Sequence, residues 1–226
     1  MTRRADGRKA DGSEPARAGD RIRAAARELF YSRGIRGVGV DEIVARAGVT
    51  KPSLYRGFAS KDALVVACLE DYAAGLVGRL DEALAAHPGD PRAGLVAFLS
   101  GIAERSARPG FRGCGLSNAA VEYPEAGHPV REAVLDGKRV LHARLAAAAA
   151  AAGAAGIEDG AAGITSPVRL ADALLLLIEG AFACGQIFGA EGPNRTLAAA
   201  AEALIAASLV RPAGCASNPP PEQPPR

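Results

Sequence analysis

Residues 41–56 read DEIVARAGVTKPSLYR, and this stretch decides the fold. Apolar residues between positions 40 and 47 recur at helical spacing, which predicts a short helix with one apolar stripe. Gly48 can take the positive φ that ends such a helix, and Val49 can fill the space where the next helix crosses. Ala45 is small enough for the two helices to approach closely. The pattern predicts two short helices joined by a tight turn.

The second of these helices has one inward and one outward face. Thr50 can cap its start, Pro52 is tolerated in its first turn, and Leu54 faces inward. The outward residues combine cations, hydroxyls and an aromatic edge: Lys51, Ser53, Tyr55 and Arg56. Such a set suits the base edges and phosphates of a DNA major groove, and the free N–H groups of the helix start suit another phosphate. Lys61, at the start of the following helix, is placed for a further phosphate. The alternative interpretation is a helical hairpin whose outer face is only solvated.

Positive charge is concentrated near the N-terminus. Residues 1–61 contain 14 Lys or Arg and 7 Asp or Glu, a net charge of +7, whereas residues 62–226 contain 13 and 18, a net charge of −5. A basic segment on an acidic remainder indicates a localised surface for a polyanion. A basic tail that only aids solubility is the alternative.

Residues 20–64 resemble the DNA-binding domain of the TetR (tetracycline-repressor-like) family. The segment YSRGIRGVGVDEIVARAGVTKPSLYRGFASKDAL, residues 31–64, is similar to the family signature over its whole length. The resemblance implies groove-facing roles for Lys51, Pro52, Ser53 and Tyr55, backbone contacts for Tyr55, Arg56 and Lys61, and a capping role for Thr50. Two positions depart from the pattern: Gly39 replaces a Ser or Thr cap, and Gly57 replaces a His or Tyr, so two phosphate contacts are expected to be missing.

The resemblance also implies what the molecule binds. We expect a homodimeric transcriptional regulator, a repressor that leaves a palindromic double-stranded operator when a small-molecule effector binds. It implies no cofactor and no enzymatic activity.

The whole chain is expected to be all-α, with nine helices and no sheet. Only 4% of residues are aromatic, and Ala and Gly are abundant, which favours close-packed helices. A three-helix N-terminal helix-turn-helix domain is predicted to join a six-helix C-terminal bundle for ligand binding and dimerisation. The expected boundaries are a disordered basic tail at residues 1–19, the DNA-binding domain at 20–66, the bundle at 67–211 and a disordered Pro-rich tail at 212–226.

The segment 111–145 is similar to one subgroup of the family and suggests an effector cavity. Cys114, Asn118 and Glu122 recur at helical spacing, and polar groups inside a bundle need partners from the protein or from a ligand. Simple helix packing is the alternative explanation for these residues. The predicted cavity holds a mainly apolar ligand, and binding is expected to shift the helix that begins after Ser60. The tentative ligand-binding residues are Phe98, Ile102, Cys114, Asn118, Glu122, Leu141, Leu175 and Phe182.

The segment 167–188 is apolar almost all round, so most of its sides must be covered. A membrane span is the alternative, but Glu179 and Gln186 interrupt the segment and no aromatic belt flanks it. We therefore expect a four-helix subunit interface built with the last helix, as in TetR-like proteins, and no membrane association. The predicted interface residues are Leu174, Ile178, Ala181, Gly185, Leu204 and Ile205.

Other classes of function find little support in the sequence. The four cysteines form no CxxC pair, and His128 and His142 would lie roughly 21 Å apart on one helix, too far to share a metal. No nucleotide-binding or hydrolase motif occurs. No signal-peptide pattern is found at the N-terminus, so a cytoplasmic location is expected. A redox-sensing regulator, or in the extreme a thiol enzyme, centred on Cys114 is the second hypothesis.

Overall fold

A computed structural model of the chain describes residues 17–158, 163–164 and 166–210. In this part of the chain the fold is helical, as predicted, and its first three helices precede a six-helix set. The nine α-helices are α1 (Ala18–Arg33), α2 (Val40–Ala47), α3 (Lys51–Gly57), α4 (Lys61–Ala85), α5 (Pro91–Ser106), α6 (Gly115–Glu122), α7 (Pro129–Glu158), α8 (Pro167–Phe188) and α9 (Leu197–Ala207). Two short 3₁₀ turns, Gly189–Glu191 and Pro193–Thr196, lie between α8 and α9.

The chain divides into two compact units between Val65 and Val66. The domain limits and roles given above stay predictions. Most of the two predicted tails, residues 1–16 and 212–226, lies outside the described residues, as does Cys215.

The N-terminal unit is built around the predicted turn. Gly48 has φ 63° and ψ 41°, the left-handed conformation that ends α2 and starts the turn to α3. Ile22 of α1, Ile43 of α2 and Leu54 of α3 are fully buried, so one apolar residue from each helix meets in the core. Phe58 closes the end of α3, and its ring lies 5.8 Å from the guanidinium carbon of Arg23. This packing determines which face of α3 is left outside.

In the described part of the chain, side-chain caps begin three helices at residue types that favour this role, Ser60, Asp90 and Ser166. Ser60 Oγ accepts from the Ala63 N–H at 3.0 Å, and Asp90 Oδ1 accepts from the Ala93 N–H at 3.0 Å. At the start of α8, Ser166 accepts a longer bond of 3.4 Å. Each cap satisfies a backbone N–H that the helix itself leaves without a partner.

Two helix limits differ from the local sequence signals, since the Gly-rich segment 153–165 predicts a loop and Asn194 is a typical N-cap residue for the last helix. Gly153 was expected to open a loop, but α7 continues to Glu158. A Cβ at Gly153 would lie 3.0 Å from the Ile164 amide nitrogen, so the glycine serves a close approach rather than a helix end. Asn194 was expected to cap the last helix. Instead it is buried, with its side-chain amide 2.9 Å from Ser106 Oγ, and α9 begins only at Leu197.

The expectation of no sheet also needs a correction. Gly163–Ile164 (β1) and Leu209–Val210 (β2) form a two-residue antiparallel pair in which Gly163 faces Val210. Strands this short carry no period-2 signal, so the sequence pattern could not reveal them.

Candidate DNA-binding and effector sites

The outward face of α3 has the side chains that the sequence predicts. Lys51, Pro52, Tyr55 and Arg56 are exposed, and Tyr55 has 51% of its surface accessible. Ser53 is partly exposed, whereas Leu54 in the same helix is fully buried. A short helix with one anchored face and one free polar face has the form that enters a DNA groove.

Hydrogen bonds join three of these side chains along α3. Thr50 Oγ1 lies 3.1 Å from Ser53 Oγ, and Arg56 Nη2 donates to the same Ser53 oxygen at 2.9 Å. Thr50 occupies the N-cap position, but its hydroxyl accepts no backbone N–H, so the expected side-chain cap is not formed. The start of α3 offers fewer free N–H groups than predicted, because Pro52 has none and the Ser53 N–H donates to the Thr50 carbonyl oxygen at 3.0 Å.

Lys51 is held by a partner that the sequence analysis did not identify. Its Nζ lies 2.7 Å from Asp41 Oδ1 of α2. This hydrogen bond and the charge of Asp41 raise the pKa of Lys51, which keeps the ammonium charged. Both groups are largely exposed. The pair therefore orients Lys51 while leaving it within reach of a DNA phosphate or base.

Lys61 has a structural contact in addition to its predicted role. It is partly buried, and its Nζ donates to the Ile35 carbonyl oxygen at 2.7 Å. Ile35 lies just after α1, in the segment that leads to α2. The ammonium group thus ties the start of α4 to that segment, and its remaining N–H groups are left for a phosphate.

The two glycines that depart from the family pattern have open space around them. Gly39 occupies the N-cap position of α2 with φ −85° and makes no side-chain cap. A Cβ at Gly39 or Gly57 would meet nothing within 4 Å. Neither glycine is therefore required by local packing, and larger side chains fit at both positions.

The predicted ligand-binding residues all belong to the C-terminal unit and differ in exposure. Five of them are buried: Phe98, Ile102, Cys114, Leu141 and Phe182. Asn118, Glu122 and Leu175 are partly exposed. Asn118 Nδ2 donates to the Arg112 carbonyl oxygen at 2.7 Å, and Glu122 also has a partner in the protein. The two groups expected to orient a ligand are thus already engaged.

A polar network that the sequence analysis missed connects α6, α7 and α8. Lys138 Nζ lies 3.3 Å from Cys114 Sγ and forms an ion pair with Glu179. Ser117 Oγ donates to the other Glu179 oxygen at 2.6 Å. Glu179 was noted only as an interruption of an apolar helix, and Lys138 falls far from it in sequence. The only available signal was a carboxylate in a helix that must be largely covered, which needs a partner.

A groove of about 520 Å³ lies elsewhere in the C-terminal unit. Its walls come from the α4–α5 connection, α5, α9 and Leu209, and they include His87, Glu202 and Ile205. None of the predicted ligand-binding residues lines it.

His142, considered above as a metal ligand, instead has its Nε2 2.7 Å from Asp172 Oδ1.

The predicted interface residues of α8 face the interior of the C-terminal unit. Leu174, Ile178, Ala181 and Gly185 are buried within the subunit, as is Ile205 of α9, and Leu204 is partly covered. A Cβ at Gly185 would lie 2.5 Å from Ser106 Cβ, so this glycine allows α8 to approach α5. Arg169, Asp172 and Gln186 are exposed and lie on the side of α8 opposite the buried residues, so this polar spacing was the available signal for its outward side.

The opposite face of α8 is open and partly apolar. Leu176 and Ile187 expose 74% and 71% of their surfaces, and Gly180 and Ala183 lie exposed between them. The segment Pro167–Glu191 is long and apolar enough to cross a membrane by length and composition alone. Core helices of soluble proteins share this length and composition.

The comparisons with known proteins agree with the geometry of the N-terminal unit. Residues 22–68 match the family model described as bacterial regulatory proteins, tetR family. The transcriptional activator FasR of Mycolicibacterium smegmatis is 47% identical over 60 residues, which cover 26% of this chain and 27% of FasR. The transcriptional repressor NemR of Escherichia coli K12 is 30% identical over 130 residues, which cover 57% of this chain and 65% of NemR.

A solved structure extends the likeness to nearly the whole fold. SCO4454, a TetR-family transcriptional regulator from Streptomyces coelicolor, is 31% identical with a TM-score of 0.75. The match covers 84% of this chain and 95% of that protein. These relatives are regulators rather than enzymes. The exposed α3 face, the left-handed turn at Gly48 and these matches lead to one conclusion: the chain belongs to the TetR family of DNA-binding transcriptional regulators.

Proposed function

We propose that this regulator is a cytoplasmic homodimer that represses transcription at a palindromic operator and releases it when a small-molecule effector binds. The observation that carries the proposal is the exposed polar face of α3, formed by Lys51, Ser53, Tyr55 and Arg56, on a helix whose Leu54 is fully buried. A dimer would place two such helices about 34–36 Å apart, in successive major grooves of one operator.

Two α-helices support the dimer. The exposed stripe of α8, with Leu176, Gly180, Ala183 and Ile187, combines large apolar side chains with small ones. On α9, exposed alanines at positions 199, 203 and 206 add a second smooth face. Large apolar groups beside small residues suit close helix packing across a two-fold axis, and contiguous exposed apolar surface indicates a binding partner.

The similarity to a repressor covers more of this chain than the similarity to an activator, which supports repression. NemR is named a repressor, and its match spans 130 residues, whereas the match to the activator FasR spans 60. Effector control is proposed to act through α4, a continuous helix from Lys61 to Ala85 that belongs to both units. Effector and DNA would then oppose each other by a reciprocal coupling, commonly about 1–3 kcal/mol.

The experiment measures operator affinity by fluorescence anisotropy for the wild type, Lys51→Ala and Tyr55→Phe. Loss of a bidentate base contact should cost about 1–3 kcal/mol of binding free energy on the operator and much less on unrelated DNA. The difference in affinity between the operator and unrelated DNA should therefore become smaller. Arg139→Ala, an exposed cation of α7, is the matched control and should leave both affinities unchanged. Equal losses on all sequences would show that these residues contact only the backbone.

A second candidate, regulation through a thiol, is favoured by one contact. Cys114 Sγ lies 3.3 Å from Lys138 Nζ, so a group added to this sulfur must displace the ammonium that also pairs with Glu179. Such a change would loosen the network between α6, α7 and α8. Alkylation of Cys114, compared with the Cys114→Ser variant, distinguishes the two candidates. A regulator gated by a non-covalent effector keeps its effector response in Cys114→Ser, whereas a thiol-based one loses it.

A further inference from the structure

Two arginines of the C-terminal unit carry guanidinium nitrogens that have no partner. Nε of Arg79, on α4, and Nη2 of Arg105, on α5, are buried and without a hydrogen bond in the structure. Within the described ranges, neither side chain meets a carboxylate at ion-pair distance. Buried donors without partners are costly, and more so when they are charged. Such groups indicate a partner that comes from outside the chain.

The two helices that carry these cations pack against each other, since a Cβ at Gly94 of α5 would lie 2.9 Å from Leu84 Cα of α4. Burial first, and the nearby charge of Arg79 second, lower the pKa of the Arg105 guanidinium, with a further contribution from Arg108. Tyr72 and Glu104 act in the opposite direction. Like charges held together in a partly buried place repel each other. An anion between them would satisfy the free N–H groups and remove the repulsion at once.

The side chains of both arginines lie over a glycine of their own helix. A Cβ added at Gly75 would lie 3.6 Å from Arg79 Nη1, and one added at Gly101 would lie 3.2 Å from Arg105 Nη1. Each guanidinium therefore folds back over a glycine one turn earlier in its own helix, the direction that long helical side chains favour. The absence of a side chain at these two positions leaves room for the guanidinium groups.

The aromatic ring of Tyr72 borders the same region. A Cβ at Gly115, the first residue of α6, would lie 3.3 Å from Tyr72 Cε2, so the ring packs on the start of that helix. Tyr72 and Arg79 are seven residues apart and share one side of α4. Tyr72 of α4 thus contacts the start of α6, and it also acts on the pKa of Arg105 of α5.

We propose that Arg79 and Arg105 bind the charged group of a small anionic molecule, a carboxylate or a phosphate, and that this anion joins α4 to α5. Guanidinium groups suit this task because their planar forks donate paired hydrogen bonds to such oxygens. The effector is thus an anion rather than a purely apolar molecule. The claim that this anion is the effector rests on the proposed function. The claim that the two arginines bind an anion does not depend on it.

The test uses the full-length protein without DNA. Binding of inorganic phosphate and of octanoate is measured by titration calorimetry, with 1-octanol as the uncharged counterpart of octanoate and sodium chloride held at matched ionic strength. Wild type is expected to bind at least one of the two anions and to bind octanol far more weakly. Arg79→Gln and Arg105→Gln should each weaken anion binding roughly tenfold or more, the change expected from one lost charge-assisted hydrogen bond. Arg139→Gln, on an exposed face of α7, is the matched control and should bind as wild type does.

Thermal unfolding separates a binding role from a structural one. Because an unpartnered buried charge is removed, each Arg→Gln variant should unfold without anion at a temperature no lower than that of wild type, and should lose the stabilisation that the anion gives to wild type. If one variant fails to fold, the other carries the test. Wild type that binds neither anion, or variants that bind both as wild type does, would overturn the proposal. Operator binding measured separately stays intact in that case, so this failure is distinct from failure of the proposed function.

Discussion

The ammonium group of Lys51 is paired with Asp41 before any DNA is present, at a distance of 2.7 Å. Because the ammonium is exposed and has three N–H groups, Lys51 can contact DNA while Asp41 competes for it. The position of Lys51 on the outward face could be read from the sequence, because the buried Leu54 determines the orientation of α3. The pairing could not, since nothing in the spacing of residues 41 and 51 shows that their side chains meet.

Neutralising Asp41 should strengthen DNA binding. In Asp41→Asn the Lys51 ammonium is released and a negative charge leaves the DNA-facing unit, so affinity for operator and for unrelated DNA should rise a few-fold. Anisotropy titrations at several salt concentrations measure this. Glu104→Gln, an exposed carboxylate of α5, is the control. An unchanged or reduced affinity in Asp41→Asn would show that the pair orients Lys51 productively rather than competing with DNA.

Lys61 should contribute to stability as well as to affinity. Lys61→Met keeps the aliphatic chain but removes the bond to the Ile35 carbonyl oxygen, which should lower the free energy of unfolding by about 1 kcal/mol. Affinity for all DNA sequences should fall alike. Urea unfolding and anisotropy measure the two effects. A change in the preferred operator sequence would contradict the assignment of Lys61 to the backbone.

At the scale of the element, the sequence predicts a helix limit where a capping side chain determines it. It does not predict a limit that depends on packing against a distant segment. Ser60, Asp90 and Ser166 cap their helices as expected, because a capping residue acts on its own backbone neighbourhood. Gly153 carries the same local signal as a helix end, yet its absent side chain admits Ile164. Distant contacts of this kind leave no trace in local sequence.

The start of α2 offers a test at this scale. Gly39 leaves the helix without a side-chain cap, and a larger residue meets no obstacle there. Gly39→Ser should raise the free energy of unfolding by a few tenths of a kcal/mol, since Ser caps only slightly better than Gly. It should also strengthen binding to all DNA sequences by adding a hydroxyl for a phosphate. Gly19→Ser, on α1 and equally unobstructed, serves as the control. If Gly39→Ser stabilises the protein but leaves its DNA affinity unchanged, the serine hydroxyl does not contact a phosphate.

At the scale of the whole molecule, the sequence indicates that most of α8 is covered. It does not indicate which sides are covered by the same chain and which by a second subunit. The same helix buries Leu174 and Ile178 inside the subunit and exposes Leu176 and Ile187. The spacing of Arg169, Asp172 and Gln186 marks the exposed side, although large apolar residues between them partly hide this pattern. A substitution such as Gly185→Leu would not test dimerisation, because it would disturb the contact of Gly185 with Ser106 inside the C-terminal unit.

Leu176→Arg should instead separate the subunits. It places a charge on the exposed stripe of α8, where an apolar interface would have to bury it without a partner. Sedimentation velocity should show a shift from dimer to monomer, with circular dichroism confirming retained helix content if the monomer stays folded. Val121→Arg, at a site on α6 with 82% exposure, is the matched control and should stay dimeric. A wild type that is a folded monomer at micromolar concentration would contradict the dimer itself.

The central claim is that α3 of two subunits reads one two-fold operator. Selection of bound duplexes from a random-sequence library, followed by footprinting of the enriched sequence, tests it most directly. The predicted result is an inverted repeat protected in two successive major grooves, whose occupancy falls steeply with salt. Enrichment of no sequence, with uniform protection at every salt concentration, would contradict the claim.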